Sequence, residues 1–424
     1  MRRFWIFILV MILSSPSSSF SVLKIIPGAS CNKSGSTQIY NGYQFTCIKS
    51  GKRLIWNKGA KVKAPLENNK VSAPSKEAPQ NSPDIPTNSI NSGTPCKVEM
   101  SQVVFQGKYF ICTTLEGRNT WQVDTLQNLK YIWIDVHKLS LKKPLPTAAL
   151  ELRKTSNVNE VIETAILNSL KDASRFWQDQ YLPKTPLPVL FFTEKDREWF
   201  GSQMRKMGLE EKCVQQQLNQ FDDEVKRNGD HVNAAGYAGC GPVTFFDFYI
   251  GTARKEIGLN DLKVGAHEYT HSGQFGALTP EGADFAPCWF IEGGAEFYGT
   301  VLGARDITDL KNNTHDQVWG DYYLSNLMMG ERNQSNLEAF LESNGNNYNH
   351  QECGPNGAYP VGAQATAYLY LLKGQPGIIN FIDAINKTHD YKLAIEQSYG
   401  ITWEQMKKEM AAYIRLVVAQ TPRN

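Results

Sequence analysis

From about residue 124 onward, the apolar positions of the chain follow patterns that predict regular elements. Val161, Ile162, Ala165, Ile166, Leu170, Ala173, Phe176 and Trp177 recur at helical spacing, so residues 159–181 are expected to form a helix. Residues 131–136 (Tyr-Ile-Trp-Ile-Asp-Val) alternate and read as a strand, as do the apolar runs 187–193 and 242–250. The stretch 194–228 between those runs reads as mostly helical. Helices follow over about 260–275 and 289–302, joined by a loop at 276–287, and again over 364–372 and 403–418. Strands early and helices late predict an α+β domain over 124–424 with a helical C-terminal half.

The earlier part of the chain contains a repeat. In residues 31–59 and again in 96–123, a second Cys follows the first by 16 positions (Cys31/Cys47, Cys96/Cys112). A Trp follows nine positions later in each (Trp56, Trp121), after a Gly-containing turn flanked by aromatic and β-branched residues. That pattern predicts hairpins. A unit this small needs a staple, and a disulfide inside each repeat is the simplest pairing, worth about 3 kcal/mol in the chain-entropy model. Two small disulfide-stapled β modules are therefore expected. Tyr43, Trp56, Tyr109 and Trp121 are candidates for a binding surface toward cell wall, glycan or protein; the alternative for each Trp is to complete a small core. Residues 60–95, rich in Pro, Ser, Asn and Lys, read as a flexible linker.

Composition adds a compartment. Arg2 and Arg3, an apolar run over 4–13 and small residues over 14–21 read as a secretory signal peptide cleaved near Ser21. The run is too short to span a bilayer, so the chain is expected to be secreted or cell-surface associated and, after cleavage, not integral to a membrane. Eight cysteines agree with an oxidising compartment. Among the last four, Cys213–Cys240 and Cys288–Cys353 are the favoured pairs of three possible arrangements. A net charge of +2 with no basic run argues against a nucleic-acid partner.

The chemistry lies in the predicted helix 260–275, which carries His267-Glu-x-x-His271. Four positions make one helical turn, so both imidazoles can reach one zinc ion, with Glu268 placed as general base. A hydrolytic zinc needs a third protein ligand. Glu292 follows His271 by 21 positions, and Glu296 lies one turn beyond it. One of these carboxylates can bind the metal while the other accepts an N–H from a ligand histidine. Gly293, Gly294 and Ala295 between them are small enough to let their helix approach the histidine helix closely. Asp247 is a further carboxylate nearby in sequence, read chiefly as a solvated strand position.

These two motifs, His267-Glu-x-x-His271 and Trp289-Phe-Ile-Glu-Gly-x-Ala-Glu296, resemble those of the gluzincin zinc metallopeptidases, which include thermolysin-like enzymes and zinc aminopeptidases. The resemblance covers about residues 242–372 and implies a zincin-like catalytic domain, a mixed sheet with an active-site helix. It makes His267, His271 and Glu292 the zinc ligands, Glu268 the general base and Glu296 the outer-shell partner. Tyr359-Pro-Val-Gly362 is similar to the family's Tyr-x-x-Gly and makes Tyr359 the donor to the oxyanion, with Tyr348 and His350 as runners-up. The amine-binding Gly-x-Met-Glu-Asn of the aminopeptidases has no counterpart, since the chain reads Gly239-Cys-Gly-Pro-Val-Thr-Phe-Phe there. The expected activity is endopeptidase cleavage of a peptide or protein substrate, with strand 242–250 pairing with the extended peptide. The alternative is a surface-binding protein whose repeats attach and whose zinc domain is structural or recognises without cleaving. A purely structural zinc needs no base beside its ligand, which favours the enzyme.

Overall fold

The computed structural model describes residues 30, 34, 37–40, 43–51, 53–58, 60–61, 94–97, 102–105, 108–115, 117–145, 150–240, 243–320, 333–343 and 355–421. The expected signal segment, most of the expected linker, and Cys31, Tyr348, His350 and Cys353 lie outside the described residues. The chain divides into two compact units, one within Ser15–Ser82 and one that takes in Pro83–Asn424.

In the first unit, β1 (Thr37–Tyr40), β3 (Arg53–Trp56) and β4 (Ala60–Lys61) each pair antiparallel with β2 (Tyr43–Ser50). The second unit begins with the antiparallel sheet β5 (Gln102–Phe105), β6 (Lys108–Leu115) and β7 (Arg118–Val123). The sequence repeat extends to register. Cys47 sits opposite Trp56, and Cys112 opposite Trp121. The residue before each first Cys bridges the residue before each Trp: Ser30 to Ile55, and Pro95 to Thr120. Each hairpin turns at a glycine with positive φ, 61° at Gly51 and 75° at Gly117, where a side chain would be strained.

Cys96 and Cys112 form a disulfide with Cα atoms 5.9 Å apart. Trp121 is only 3% exposed and packs with Cys112 and Phe110, so it completes a small core and offers no binding surface. Tyr109 is half-buried, its hydroxyl 2.5 Å from that of Tyr131. Trp56 is also half-buried, and the side chain of Tyr43 lies outside the described residues. Cys47, Cys213 and Cys288 are disulfide-bonded as well; of their expected partners, Cys31, Cys353 and the side chain of Cys240 are outside the described residues.

Residues 131–136, expected as a strand, belong instead to helix α1 (Thr125–Leu141). Asp124 caps it by accepting from the Gln127 amide at 2.9 Å. Leu129, Ile132, Val136 and Ser140 face the core at intervals of three and four, and a six-residue window is too short to separate that period from alternation.

Next come β8 (Leu150–Lys154), α2 (Glu160–Trp177), β9 (Leu187–Phe192), α3 (Arg197–Lys206), α4 (Glu211–Asn228), β10 (Asn233–Cys240) and β11 (Val243–Ile250). The four strands form one mixed sheet in the order β10-β11-β9-β8, with only the β10–β11 pair antiparallel. Alternation along β11 serves two cores. Phe246, Phe248 and Ile250 enter the main core with α2, whereas Phe245 and Tyr249 face the core built on α3 and α4. Strand β11 is paired on both sides, so it cannot accept a peptide as a further strand; the edge belongs to β10.

The rest is helical: α5 (Leu259–Ala277), α6 (Pro280–Ala283), α7 (Cys288–Gly303), α8 (Ile307–His315) with a π-helical turn at Asp316–Gly320, α9 (Asn333–Ser343), α10 (Pro355–Thr388), α11 (Tyr391–Tyr399) and α12 (Trp403–Gln420). The described fold is thus mixed α and β with a helical C-terminal half. Every residue of α7 is buried, as suits a helix apolar around its circumference. Its glycines set how closely it packs. A Cβ on Gly293 would stand 2.2 Å from Cα of Gly362 in α10, and one on Gly303 would stand 2.2 Å from the Leu262 carbonyl of α5. Gly293 therefore serves the contact with α10, and Gly303 the approach to the histidine helix.

Candidate metal centre

Helix α5 starts where Asp261 accepts from the Gly258 amide at 2.6 Å and from Arg254 at 2.5 Å, and it packs on the sheet through Tyr269 against Phe246. It carries His267 and His271 one turn apart, with ring centroids 5.0 Å from each other. Helix α7 crosses it and brings Glu292 between them. Oε2 of Glu292 lies 3.9 Å from Nε2 of His267 and 3.6 Å from Nε2 of His271. The three residues form a buried group that could hold a metal ion, their ligand atoms all within 4.8 Å of one another. Ligands on a tetrahedral zinc stand roughly 3.3–3.5 Å apart, so a small cation would need only a slight contraction. Oε2 of Glu292 and Nε2 of His267 are buried with no hydrogen-bond partner, and buried polar atoms in that condition call for an explanation.

Both imidazoles are oriented by hydrogen bonds at Nδ1. Gln274 donates through Nε2 to the carbonyls of Phe290 and Ile291, at 3.0 and 3.1 Å. Its Oε1 therefore faces Nδ1 of His271 at 3.2 Å, which makes Nδ1 the donor and leaves the Nε2 lone pair toward Glu292. Gly294 leaves room for this amide, since a Cβ there would stand 2.7 Å from Nε2 of Gln274. On the other ligand, Oε2 of Glu296 accepts from Nδ1 of His267 at 3.4 Å. Oε1 of Glu296 takes Lys263 at 2.5 Å and Gln317 at 3.1 Å. Gln317 in turn donates to Thr300 at 2.9 Å and accepts from Gln364 at 2.8 Å.

Lys263, Gln274 and Gln317 escaped the sequence reading. The signal for the first two was helical spacing: Lys263 is one turn before His267, and Gln274 is three residues after His271. Gln317 carries no comparable signal.

Burial and close packing shift the ionisable groups of the site. Burial alone would lower the His267 imidazole, but its bond to Glu296 and the charges of Glu268, Glu296 and Glu292 raise it above the ordinary histidine value. Burial lifts the Glu268 carboxyl to about 8; His267 draws it down, and Glu292 and Asp247 push it up. A hydrogen bond from the Tyr237 backbone also lowers it. Burial also raises Glu292, against the pull of His267 and of a bond from the Tyr359 hydroxyl. Glu296 goes the other way. Burial pushes it up, but Lys263 and the bond from His267 outweigh this and hold it at about 2.

Tyr359, expected just ahead of a helix, lies within α10, which starts four residues earlier at Pro355. Its ring stacks on His267 at 5.6 Å and 15°. Burial and the neighbouring Glu292 raise its phenol well above the ordinary value, so it stays a donor. Asp247 is half-buried, neither a solvated position nor a partner of the ligands. It shares the strand face of Phe245 and Tyr249, opposite the face on which Phe246 meets α5, and burial lifts its carboxyl to about 7.

Comparison with protein-family models, with curated proteins and with solved structures gives no match.

Proposed function

We propose that the chain is an exported zinc-dependent metallopeptidase of zincin-like fold, acting as an endopeptidase. The observation that carries this reading is the convergence of His267, His271 and Glu292 on one buried point, with the buried carboxyl of Glu268 next to His267 in the chain. Two His and one Glu with an open fourth position is a ligand set of catalytic zinc. Charge supports a dication. Ionised together, Glu268, Glu292 and Glu296 bring three negative charges, and half-buried Lys263 returns one. The Cys96–Cys112 disulfide supports an oxidising compartment, and no described helix is long and apolar enough to cross a membrane.

Zinc bound here would polarise the scissile carbonyl and make water more acidic. Glu268 takes the proton of the attacking water and returns it to the leaving amine. The Tyr359 hydroxyl turns from Glu292 to the oxyanion as charge develops there. An extended substrate pairs along β10, the sheet edge nearest α5.

The test is metal analysis of the purified protein together with cleavage of a peptide library, with and without a chelator. Zinc at one per chain and chelator-sensitive cleavage are expected. Glu292→Ala should lose the zinc, and undiminished zinc in that variant would reassign the third ligand.

A further inference from the structure

A half-buried cation stands beside the proposed ligands. Lys263 is on α5, in the stripe that continues through His267 and His271, and its side chain is 13% exposed. Its partner Glu296 is on α7, with its side chain 7% exposed. Burying a lysine costs desolvation that a surface position would avoid, and nothing in the ligand geometry alone asks for it.

We propose that Lys263 is a positioning residue for the metal centre: its ammonium fixes Glu296 so that the carboxylate keeps Oε2 on Nδ1 of His267. This rests on the reading of His267, His271 and Glu292 as metal ligands. The division of labour within Glu296 is what carries it. Oε1 is occupied by Lys263 at 2.5 Å and Gln317 at 3.1 Å, which leaves Oε2 for the imidazole at 3.4 Å. Gln317 is itself held by Thr300 and Gln364, so the carboxylate is braced from α5, α7, α10 and the π-helical turn together. Because Lys263 and His267 sit one turn apart on one helix, the ammonium aligns the acceptor with the same element that carries the ligand. Outer-shell partners of metal-bound histidines fix tautomer and ring orientation in this way; Lys263 acts one step further out, through Glu296.

Zinc affinity of the full chain, measured by competition with a chromogenic chelator, tests this. Lys263→Met should weaken binding about 10–100-fold, as loss of an outer-shell partner does, and Lys263→Arg should restore most of it. In a Glu296→Gln background, Lys263→Met should add no further loss, since the residue it acts through is gone. Spectra of the metal-free protein labelled with 15N-histidine give a second readout. The His267 Nδ1–H signal should persist in the wild type and Lys263→Arg and be lost in Lys263→Met. If Lys263→Met does not fold, the double variant, which removes both charges, carries the comparison against Glu296→Gln. Wild-type affinity in Lys263→Met, or an equal loss with and without Glu296, overturns the proposal while leaving the metal centre intact. A wild-type chain that takes up no zinc removes the metal-centre reading itself, and this inference with it.

Discussion

The ring of Tyr359 lies flat against that of His267, centroids 5.6 Å apart and planes 15° from parallel, while its hydroxyl donates to Glu292. One side chain from α10 thus meets a proposed ligand from α5 and another from α7. Tyr359→Phe keeps the stacked ring and removes only the donor. Zinc content should be unchanged, while kcat falls by about 10²–10³, the usual effect of losing one oxyanion donor. Steady-state kinetics on a peptide substrate, with metal analysis of the same preparation, decide it. Full activity in the variant takes Tyr359 out of the chemistry.

Glu268 is buried and accepts from the Tyr237 backbone, a bond that a Gln of the same shape can keep. Glu268→Gln should retain one zinc per chain and the wild-type melting temperature or a higher one. Its turnover should drop by about 10²–10⁴, the range that general acid–base catalysis supplies. A fully active Gln variant would end the mechanism proposed above.

Gly293 and Gly362 meet backbone to backbone, so neither can give way as a flexible side chain would. Gly293→Ala should destabilise the protein by about 1–3 kcal/mol or more, the cost of overpacking a filled core. It should also weaken zinc binding, because Glu292 is the adjacent residue. Urea unfolding and metal affinity measured on one preparation test both effects; an Ala variant as stable as wild type contradicts the close approach.

Glu342 of α9 accepts from Lys407 and from the indole of Trp403, both at 2.7 Å, and from Lys392. Burial pushes its carboxyl up, but these three bonds outweigh it and hold the group at about 2, below the ordinary 4.5. A depressed carboxyl favours the folded state above the unfolded value and loses that contribution as pH falls toward the folded one. Stability should therefore decline between about pH 4.5 and pH 2, in part through this residue. Glu342→Gln should be less stable at pH 7 and lose less on acidification. Identical pH slopes in the two proteins would show that the group does not contribute; the side chain is 34% exposed, so a modest difference is expected.

The pairing of His267 with His271, and of Glu292 with Glu296, was legible because a spacing of four places each pair on one helix face. The edge strand β10 was not, because Asn233-Ala-Ala-Gly-Tyr-Ala-Gly-Cys240 holds only Tyr237 among the β-branched and aromatic residues by which strands are recognised. It is a strand because β11 beside it offers a full ladder, a tertiary cause no local window contains. Strand β8 escaped for the same reason, as five residues with alternating charge beside β9. Gln317 illustrates a different limit. It reaches Glu296 from a π-helical turn 21 residues away, and only the packing of α8 and α10 about α7 makes them neighbours.

The end of α12 closes onto the junction between β7 and α1. Gln420 donates to the Val123 carbonyl at 2.8 Å and accepts from the Thr125 amide and hydroxyl, both at 2.8 Å. Positions 295 and more residues apart in sequence share these bonds, so they lie among the last that a growing chain can form. Until α12 has been synthesised, the small sheet before α1 lacks its clasp. A protease that trims α12 would remove this clasp from the sheet while leaving the segment that carries His267, His271 and Glu292 covalently whole.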